Sequence, residues 1–243
     1  INAKNISKYN IILCDEVHLF PKDGEGQYQT LLKRLKELNS KIKLIGFTAT
    51  PFRMLSGLLT EGDDCIFTDI VYEVGIETLI ERKYLCNLRS KISEINVDLN
   101  GVGKSGGDYV TSQLEEAMTS DIKKVEKTIK EIIKYAGDRK SWIIFCTGLQ
   151  HVDLVCRFLT ESGIGNQSIT GVTPKDERDQ YIDDFKNGKI RCLVNCNVLT
   201  TGFNAPNIDL LVMLRPTQSP GLYTQMVGRG SRLSEGKEDC LVL

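Results

Sequence analysis

Short runs of apolar residues alternate along this chain with segments in which apolar residues recur every three or four positions. The runs Ile11 to Cys14, Lys43 to Phe47 and Ile143 to Cys146 have the length and composition of buried strands. Further strands are predicted at Arg191 to Cys196, Leu210 to Leu214 and Cys240 to Leu243, and an alternating one at Ile95, Val97 and Leu99. Strands that alternate with helices indicate an α/β fold, in which helices cover a parallel sheet.

Helical spacing and helix-ending residues fill the intervals between the runs. The clearest helix is predicted from Ile122 to Ala136, with Asp121 as its N-cap and Gly137 at its end. Thr173 and Pro174 are predicted as the N-cap and the first helical residue of a later helix. Other helical faces are predicted from Tyr28 to Leu38, Ile76 to Ile80, Val152 to Leu159 and Tyr181 to Phe185, and a glycine-rich loop from Gly101 to Asp108.

The predicted strands are distributed unevenly. Residues 89–243 contain enough of them for a complete open sheet, whereas residues 1–88 contain only two convincing ones. Because two parallel strands do not form a stable sheet alone, we expect residues 1–88 to be the C-terminal half of a larger α/β domain with its linker. The opening segment has neither an initiating Met nor an apolar signal core, which favours a piece of a longer chain.

Composition narrows the class of protein. Lys and Arg number 31 against 32 Asp and Glu, a net charge of −1 that predicts no bulk affinity for polyanions, and 41% hydrophobic residues exclude intrinsic disorder. The longest apolar runs are far shorter than the roughly 18 residues of a membrane span, so no membrane association is expected.

The cysteines predict neither metal binding nor oxidation. Eight are present without any Cys-x-x-Cys pair, which argues against a zinc site. Four of them stand in apolar runs and are expected in the core: Cys14, Cys146, Cys192 and Cys196. Free buried thiols indicate a reducing, cytoplasmic compartment.

The first candidate chemistry follows the run Ile11 to Cys14. The next residues, Asp15 and Glu16, would lie at the carboxyl edge of a parallel sheet, where ligands bind in such folds. This is the geometry of a Walker B segment, in which one carboxylate holds Mg²⁺ on the phosphates and the second activates water. Taken alone, an acidic pair after a strand is more often a solvated loop.

Two further segments strengthen this reading. Thr48 and Thr50 follow the next strand and are predicted beside the carboxylates. Arg229 and Arg232 are three residues apart, a spacing that on one helix puts both guanidinium groups on one face, where they can clamp a polyphosphate. The alternative for the arginines in isolation is a solvated basic helix face.

These segments together resemble superfamily 2 helicases. Asp15 to His18, Thr48 to Thr50, Thr200 to Pro206 and Gln225 to Arg232 are similar to motifs II, III, V and VI of that family, in order and spacing. The stretches Thr48 to Arg53, Val198 to Pro206 and Leu214 to Tyr223 most resemble the RadD-like bacterial DNA helicases, DEAD/DEAH-type proteins linked to DNA repair. The resemblance implies two RecA-like domains, the first one incomplete here, which use ATP and Mg²⁺ and act on nucleic acid, DNA in preference to RNA, with repair proteins as partners.

The resemblance also implies roles for residues at the nucleotide. Asp15 would coordinate Mg²⁺ and Glu16 would be the catalytic base, while His18 and Gln225 would bridge the two domains. Thr48 and Thr50 would couple hydrolysis to motion. Arg229 and Arg232 would be arginine fingers, and Gly202 and Asn204 would contact the nucleotide.

A second set of residues would contact the nucleic-acid backbone in this resemblance. A few donors suffice for backbone contacts, which is compatible with a net charge of −1. The set comprises Thr147, Gly148, Thr170, Gly171, Arg178, Thr200, Thr201 and Gly202.

Two departures from the family leave alternatives open. Asn204 stands where Asp is common, and the phosphate-binding loop Gly-x-x-x-x-Gly-Lys-Ser/Thr is absent, since Gly103-Lys104-Ser105 imitates only its end. Residues 1–243 alone are therefore not expected to hydrolyse ATP. The alternatives to a helicase or translocase are a non-catalytic RecA-like scaffold and the motor subunit of a restriction enzyme.

Overall fold

Two units make up the chain, residues 1–73 and residues 74–243. The computed structural model describes residues 3–20, 26–53, 57–62, 65–200 and 203–243. The division falls before the boundary predicted at residue 88. The reason is that the strand Asn87–Ser90 pairs in parallel with Asp239–Val242 and so belongs to the second unit.

The first unit is built on a small parallel sheet of two strands, whose register pairs Ile11 with Lys43 and Cys14 with Gly46. A small apolar cluster centred on Val17, Phe20 and Leu59 packs against Cys14 of the first strand and Leu44 of the second. The elements are α1 (Ala3–Ile6), β1 (Ile11–Cys14), a 3₁₀ turn (Val17–Leu19), α2 (Gln27–Leu38), β2 (Lys43–Gly46), β3 (Phe52–Arg53) and β4 (Gly57–Leu58). This confirms the prediction of two parallel strands for this part of the chain.

One face of the β1–β2 sheet is apolar and exposed. Ile11 and Leu13 on β1 are 57% and 64% exposed, and Ile45 on β2 and Phe47 after it are also exposed. The alternate residues of both strands are only partly covered. The sheet of the first unit is therefore much less buried than a parallel sheet covered on both faces.

The second unit contains a six-stranded parallel sheet in the order β5-β12-β11-β8-β10-β9. A short antiparallel hairpin, β6–β7, stands outside this sheet. The elements are α3 (Ile76–Glu81), β5 (Asn87–Ser90), β6 (Lys104–Ser105), β7 (Asp108–Tyr109), α4 (Thr111–Thr119), α5 (Ile122–Ala136), β8 (Trp142–Phe145), α6 (Leu149–Glu161), β9 (Asn166–Ile169), α7 (Lys175–Lys186), β10 (Cys192–Asn195), β11 (Leu210–Met213), α8 (Pro220–Gly230) and β12 (Asp239–Val242). The predicted α/β class with a parallel sheet is confirmed.

Helices bury this sheet from both sides, which explains the uninterrupted apolar runs of its strands. In β8, Trp142 and Ile144 pack into the core under α5 and α6, whereas Ile143 and Phe145 point into the core on the opposite face. The second core includes Phe185 of α7 and Met226 of α8. The Asp121 side chain accepts the Lys124 amide and caps α5 as predicted.

Several predictions in the second unit are wrong in detail. Residues 91–102 contain no strand. Instead, Ile95, Val97 and Leu99 line a cavity of about 190 Å³ beside α5. The loop predicted from Gly101 to Asp108 holds the hairpin β6–β7.

Two other local predictions also need correction. Pro174 is the N-cap of α7 and the helix starts one residue later, because the Thr173 hydroxyl accepts the amide of Thr170 instead of capping the helix. Cys146 and Cys192 are fully buried, but Cys14 and Cys196 lie near strand ends and are only partly covered. In the described part of the chain, no helix has the length and apolar content needed to cross a membrane.

Candidate functional site

The acidic pair of the first unit stands on a tight turn directly after β1. The Glu16 amide donates to Asp15 Oδ1 over 2.9 Å, and Glu16 adopts a left-handed backbone conformation with φ of 51°. The Val17 amide then donates to the carbonyl of Phe47, the residue after β2. The turn therefore holds both carboxylates at the carboxyl edge of the two strands, as the sequence predicts.

His18 lies between Glu16 and the segment after β2 and contacts both. His18 Nδ1 lies 2.9 Å from the Thr48 hydroxyl and 3.4 Å from Glu16 Oε2. The Thr48 hydroxyl accepts the Thr50 amide and donates to the Thr50 carbonyl. The structure thus brings together four residues predicted for the nucleotide site: Glu16, His18, Thr48 and Thr50.

The two threonines differ in what their hydroxyls do. Thr50 is 1% exposed, and its Oγ1 has no hydrogen-bond partner among the described residues. A buried hydroxyl without a partner lowers stability. The Thr48 hydroxyl instead lies within hydrogen-bond distance of His18 and accepts the Thr50 amide.

The acidic pair fits a magnesium ion that arrives with phosphate ligands. Carboxylate oxygens are the ligands Mg²⁺ prefers, and Asp15 is exposed at the tip of the turn. No group of three or more His, Cys, Asp or Glu side chains suited to a metal occurs among the described residues. Such an ion would take one or two carboxylates from this turn, and its remaining ligands would be water and phosphate oxygens.

In the second unit, the segment after β8 leads into α6. Thr147 is 0% exposed, and its hydroxyl and amide both face His151 Nδ1, at 2.9 and 3.5 Å. An amide that donates to Nδ1 makes this nitrogen the acceptor and places the ring proton on Nε2. The predicted nucleic-acid contact at Thr147 is thus not made by an accessible hydroxyl in this structure.

A carboxylate from a neighbouring helix caps α6. Gly148 is the N-cap and has no side chain to offer, and Glu115 of α4 accepts the amides of Gln150 and His151 at 2.7 and 3.2 Å. An ideal Cβ at residue 148 would lie 2.2 Å from the Glu115 carboxyl carbon. The glycine therefore leaves room for an acidic group at the helix N-terminus, where negative charge is stabilised.

The segment after β9 forms a compact turn. Thr170 is 6% exposed, Gly171 is exposed, and the Arg178 guanidinium of α7 donates to the carbonyls of Thr170 and Thr173. Because the carboxyl ends of parallel strands meet at one edge, this turn lies at the same sheet edge as Gly148 and Thr200. Thr201 and Gly202 lie outside the described residues.

The two predicted arginine fingers have different surroundings. Arg229 is 8% exposed and donates to the carbonyl of Thr200 through Nε and Nη2 and to that of Phe203 through Nη1. Arg232 is half-buried and donates to the Phe203 carbonyl and the Asn204 side chain. Both guanidinium groups therefore hold the loop after β10.

The prediction that one helix displays both arginines is wrong. The helix α8, capped by Ser219 and started by Pro220, ends at Gly230, so Arg232 follows it. Arg232 instead pairs with Leu85 in an isolated antiparallel bridge. The two guanidinium groups still converge, because both reach the Phe203 carbonyl. Gln225 lies within α8.

Sequence reasoning missed three residues that organise this edge. Glu115 caps α6, Asp108 accepts the Thr217 hydroxyl and the Gln218 amide just before α8, and Lys237 contacts the loop after β10 and the end of α8. Only Lys237 carries a local signal, since Ser234-Glu235-Gly236-Lys237 is a turn pattern. The other two act on segments about 35 and 110 residues away in sequence, and no spacing rule connects them.

Comparison with known proteins identifies the class. Residues 123–234 match the family model for the helicase conserved C-terminal domain. They contain nearly all of α5, the helices α6 to α8, and four of the six strands of the sheet, β8 to β11. This match covers slightly less than half of the chain and falls within the unit that holds the six-stranded parallel sheet.

Particular relatives extend the match to the whole chain. The chain is 32% identical to the ATP-dependent helicase IRC3 of Saccharomyces cerevisiae and 33% identical to the mitochondrial ATP-dependent helicase irc3 of Schizosaccharomyces pombe, with 100% of this chain covered in both. It spans only 35% and 40% of their lengths. The chain is thus similar, over its whole length, to part of two proteins named as ATP-dependent helicases.

A solved structure shows the same fold. The fragment of an HsdR subunit of a type I restriction enzyme from Vibrio vulnificus YJ016 superposes with a TM-score of 0.69 at 19% identity, over 98% of this chain and 44% of that one. At this level of identity the likeness concerns the fold.

Proposed function

We propose that this chain is part of the motor of an ATP-dependent helicase or translocase that acts on nucleic acid, DNA in preference to RNA. Hydrolysis of Mg²⁺-bound ATP would use residues of both units on one nucleotide. The observation that carries the proposal is that His18 Nδ1 lies within ion-pair distance of Glu16 and within hydrogen-bond distance of the Thr48 hydroxyl, which in turn accepts the Thr50 amide, at the edge of β1 and β2. This arrangement connects Glu16, which is suited to activate water, with the segment of Thr48 and Thr50, which would respond to hydrolysis.

The first unit would supply the acid–base chemistry. Asp15 would hold Mg²⁺, which when bound neutralises charge on the phosphates. Glu16, oriented by the turn and by His18, would accept the proton of the attacking water. A change in the Glu16 contact would reach Thr48 through the His18 ring, and from Thr48 the backbone of residue 50. This series is a route by which hydrolysis and motion are coupled.

The second unit would supply positive charge and the track for nucleic acid. Arg232, which is more accessible than Arg229, would contact the phosphates, and Asn204 beside it would contact the nucleotide. Gly171, which is exposed, and Thr200, which is partly exposed, would contact the nucleic-acid backbone, whereas Gly148 is buried in this structure. Contacts of this kind carry no sequence information, so we propose sequence-independent binding.

The proposal also includes a helicase subfamily, partner proteins and a cellular location. The stretches Thr48 to Arg53, Val198 to Pro206 and Leu214 to Tyr223 support a RadD-like DNA helicase with partners in DNA repair. All eight cysteines are free, and burial raises the pKa of several thiols, Cys146 and Cys192 among them, which supports a reducing, cytoplasmic location.

The test is ATP turnover by the full-length protein, alone and with single-stranded DNA, duplex DNA or RNA. We expect DNA to stimulate turnover more than RNA does. Glu16→Gln keeps the size of the side chain and removes the base, so we expect it to lower kcat by roughly 10²- to 10⁴-fold. Glu235→Gln, the same change at an exposed residue, serves as the matched control and should leave kcat unchanged.

The alternatives give different results. A folded protein that binds nucleic acid but shows no turnover with any polymer would favour the non-catalytic scaffold. Turnover that Glu16→Gln does not reduce would contradict the assigned base. DNA-stimulated turnover accompanied by DNA cleavage would favour a restriction-enzyme motor.

A further inference from the structure

Lys237 makes an unusual set of contacts for a surface lysine. Its ammonium Nζ donates to three backbone carbonyls, those of Gly230 at 2.7 Å, Arg232 at 2.8 Å and Pro206 at 3.2 Å. An ammonium has three protons, so these bonds use its full donor capacity. None of the acceptors is a carboxylate, and the side chain is half-buried. The contact is therefore a connection between backbone segments and not a surface ion pair.

A local turn directs Lys237 inward. The Lys237 amide donates to the Ser234 carbonyl over 3.2 Å, and Gly236 has a φ of 73°. A glycine with positive φ at the third position is the requirement of a type II turn. The turn reverses the chain between Arg232 and β12, so the lysine reaches back to the end of α8.

The carbonyls that Lys237 joins come from two segments that also hold the arginines. Pro206 belongs to the loop after β10, which accepts both guanidinium groups at Phe203. Gly230 and Arg232 form the end of α8 and the residues after it. The arginine side chains and the lysine thus connect the same two segments.

We propose that Lys237 is a positioning residue that ties the loop after β10 to the end of α8 and thereby sets the direction of the Arg229 and Arg232 guanidinium groups. In this role it touches neither nucleotide nor nucleic acid. Charge-assisted hydrogen bonds are stronger than neutral ones, so three of them on one ammonium restrict both segments at once. The functional part of this inference rests on the proposed ATPase activity; the structural part does not.

The first measurement is amide hydrogen exchange in the full-length protein. Lys237→Met keeps most of the aliphatic stem and removes all three donors. We expect exchange in residues 203–208 and 226–233 to rise about tenfold, since local opening no longer breaks these bonds. Lys186→Met makes the same chemical change at an exposed position on α7 and should leave both segments unchanged. Equal exchange in wild type and Lys237→Met would overturn the inference.

The second measurement separates positioning from mere stability. With Mg²⁺-ATP and a single-stranded oligodeoxynucleotide, we expect Lys237→Met to lower kcat on the order of 10- to 100-fold, with KM for ATP within about twofold of wild type. Because the lysine acts through the arginines, adding Lys237→Met to Arg232→Ala should lower kcat little further. A normal kcat in Lys237→Met would refute the positioning role.

The outcomes also distinguish this inference from the proposed function. A wild-type protein that does not hydrolyse ATP contradicts the proposed function, and hydrogen exchange then still decides whether Lys237 ties the two segments. An active wild type with loosened segments but unchanged kcat contradicts only the inference.

Discussion

Two arginines of one sequence motif have distinct physical roles in this structure. Arg229 is buried and donates to carbonyls of the loop after β10. Arg232 is half-buried and donates to the Asn204 side chain of the same loop. Sequence spacing predicts that the two act together, and they do meet at the Phe203 carbonyl. It could not predict that one of them is also part of the fold, because burial depends on the distant loop.

This difference predicts that the two alanine substitutions affect stability to different extents. Arg229→Ala leaves buried carbonyls without donors, so we expect the free energy of unfolding to fall by about 2–3 kcal/mol. Arg232→Ala should lower it by less than about 1 kcal/mol while strongly reducing ATP turnover. Chemical denaturation and steady-state kinetics on both variants test this. Equal losses of stability would contradict the assignment.

His151 makes stability depend on pH. Burial lowers its pKa to about 4 from the usual 6.5, and its Nδ1 already accepts from Thr147. Because the unfolded chain binds the proton more readily, this contribution to stability is complete above pH 6.5 and is lost as the pH falls from 6.5 to about 4. We expect a loss of about 3 kcal/mol across that range.

The measurement is urea denaturation between pH 7 and pH 4. His151→Asn keeps an acceptor near the position of Nδ1 but cannot titrate, so its curve should be flatter than that of the wild type. Parallel pH profiles for the two proteins would show that other groups cause the dependence.

At the scale of elements, the apolar pattern predicts the strands that contain an apolar run and misses those that do not. β8 and β11 are continuous apolar runs, β10 has three apolar residues before Asn195, and the sequence predicts all three strands. β9 has the sequence Asn-Gln-Ser-Ile at a sheet edge, where one side needs no apolar cover, so the pattern gives no signal there. Ile95, Val97 and Leu99 alternate as in a strand but line a cavity, because alternation reports burial and not hydrogen bonding.

The junction of β2 with the segment behind it is closely packed. A Cβ added to Gly46 would lie 2.7 Å from the Phe67 ring and 2.9 Å from Val17 Cγ1. Gly46→Ala should therefore cost about 1–3 kcal/mol of stability in the first unit through overpacking. Gly165→Ala, which meets nothing within 4 Å, is the control and should change stability by less than about 0.5 kcal/mol. Thermal unfolding of both variants tests the difference.

At the scale of the whole molecule, the two units differ in how well their sheets are covered. The second unit buries β8 and β10 completely, whereas alternate residues of β1 and β2 are exposed. Sequence analysis predicted the uneven number of strands and located Asp15, Glu16, His18 and Thr48 together. It did not predict the capping by Glu115 or the contacts of Lys237, since both depend on tertiary contacts between separate elements.

This difference predicts two levels of protection in hydrogen exchange. Amides of β8, β10 and β11 should exchange slowest and report global unfolding of their unit. Amides of β1 and β2 should exchange at least about tenfold faster, because fewer packed side chains oppose their opening. Exchange followed by mass spectrometry at single-peptide resolution measures both. Equal protection in the two sheets would contradict the prediction.

The left-handed backbone of Glu16 places a conflict between folding and catalysis on one residue. A residue with a Cβ is strained at positive φ, and glycine is not. Glu16→Gly should therefore raise the free energy of unfolding by up to about 1 kcal/mol. The same change would remove the proposed base. Selection for stability alone would thus favour glycine at this position. A glutamate in this strained conformation is what selection for catalysis would produce.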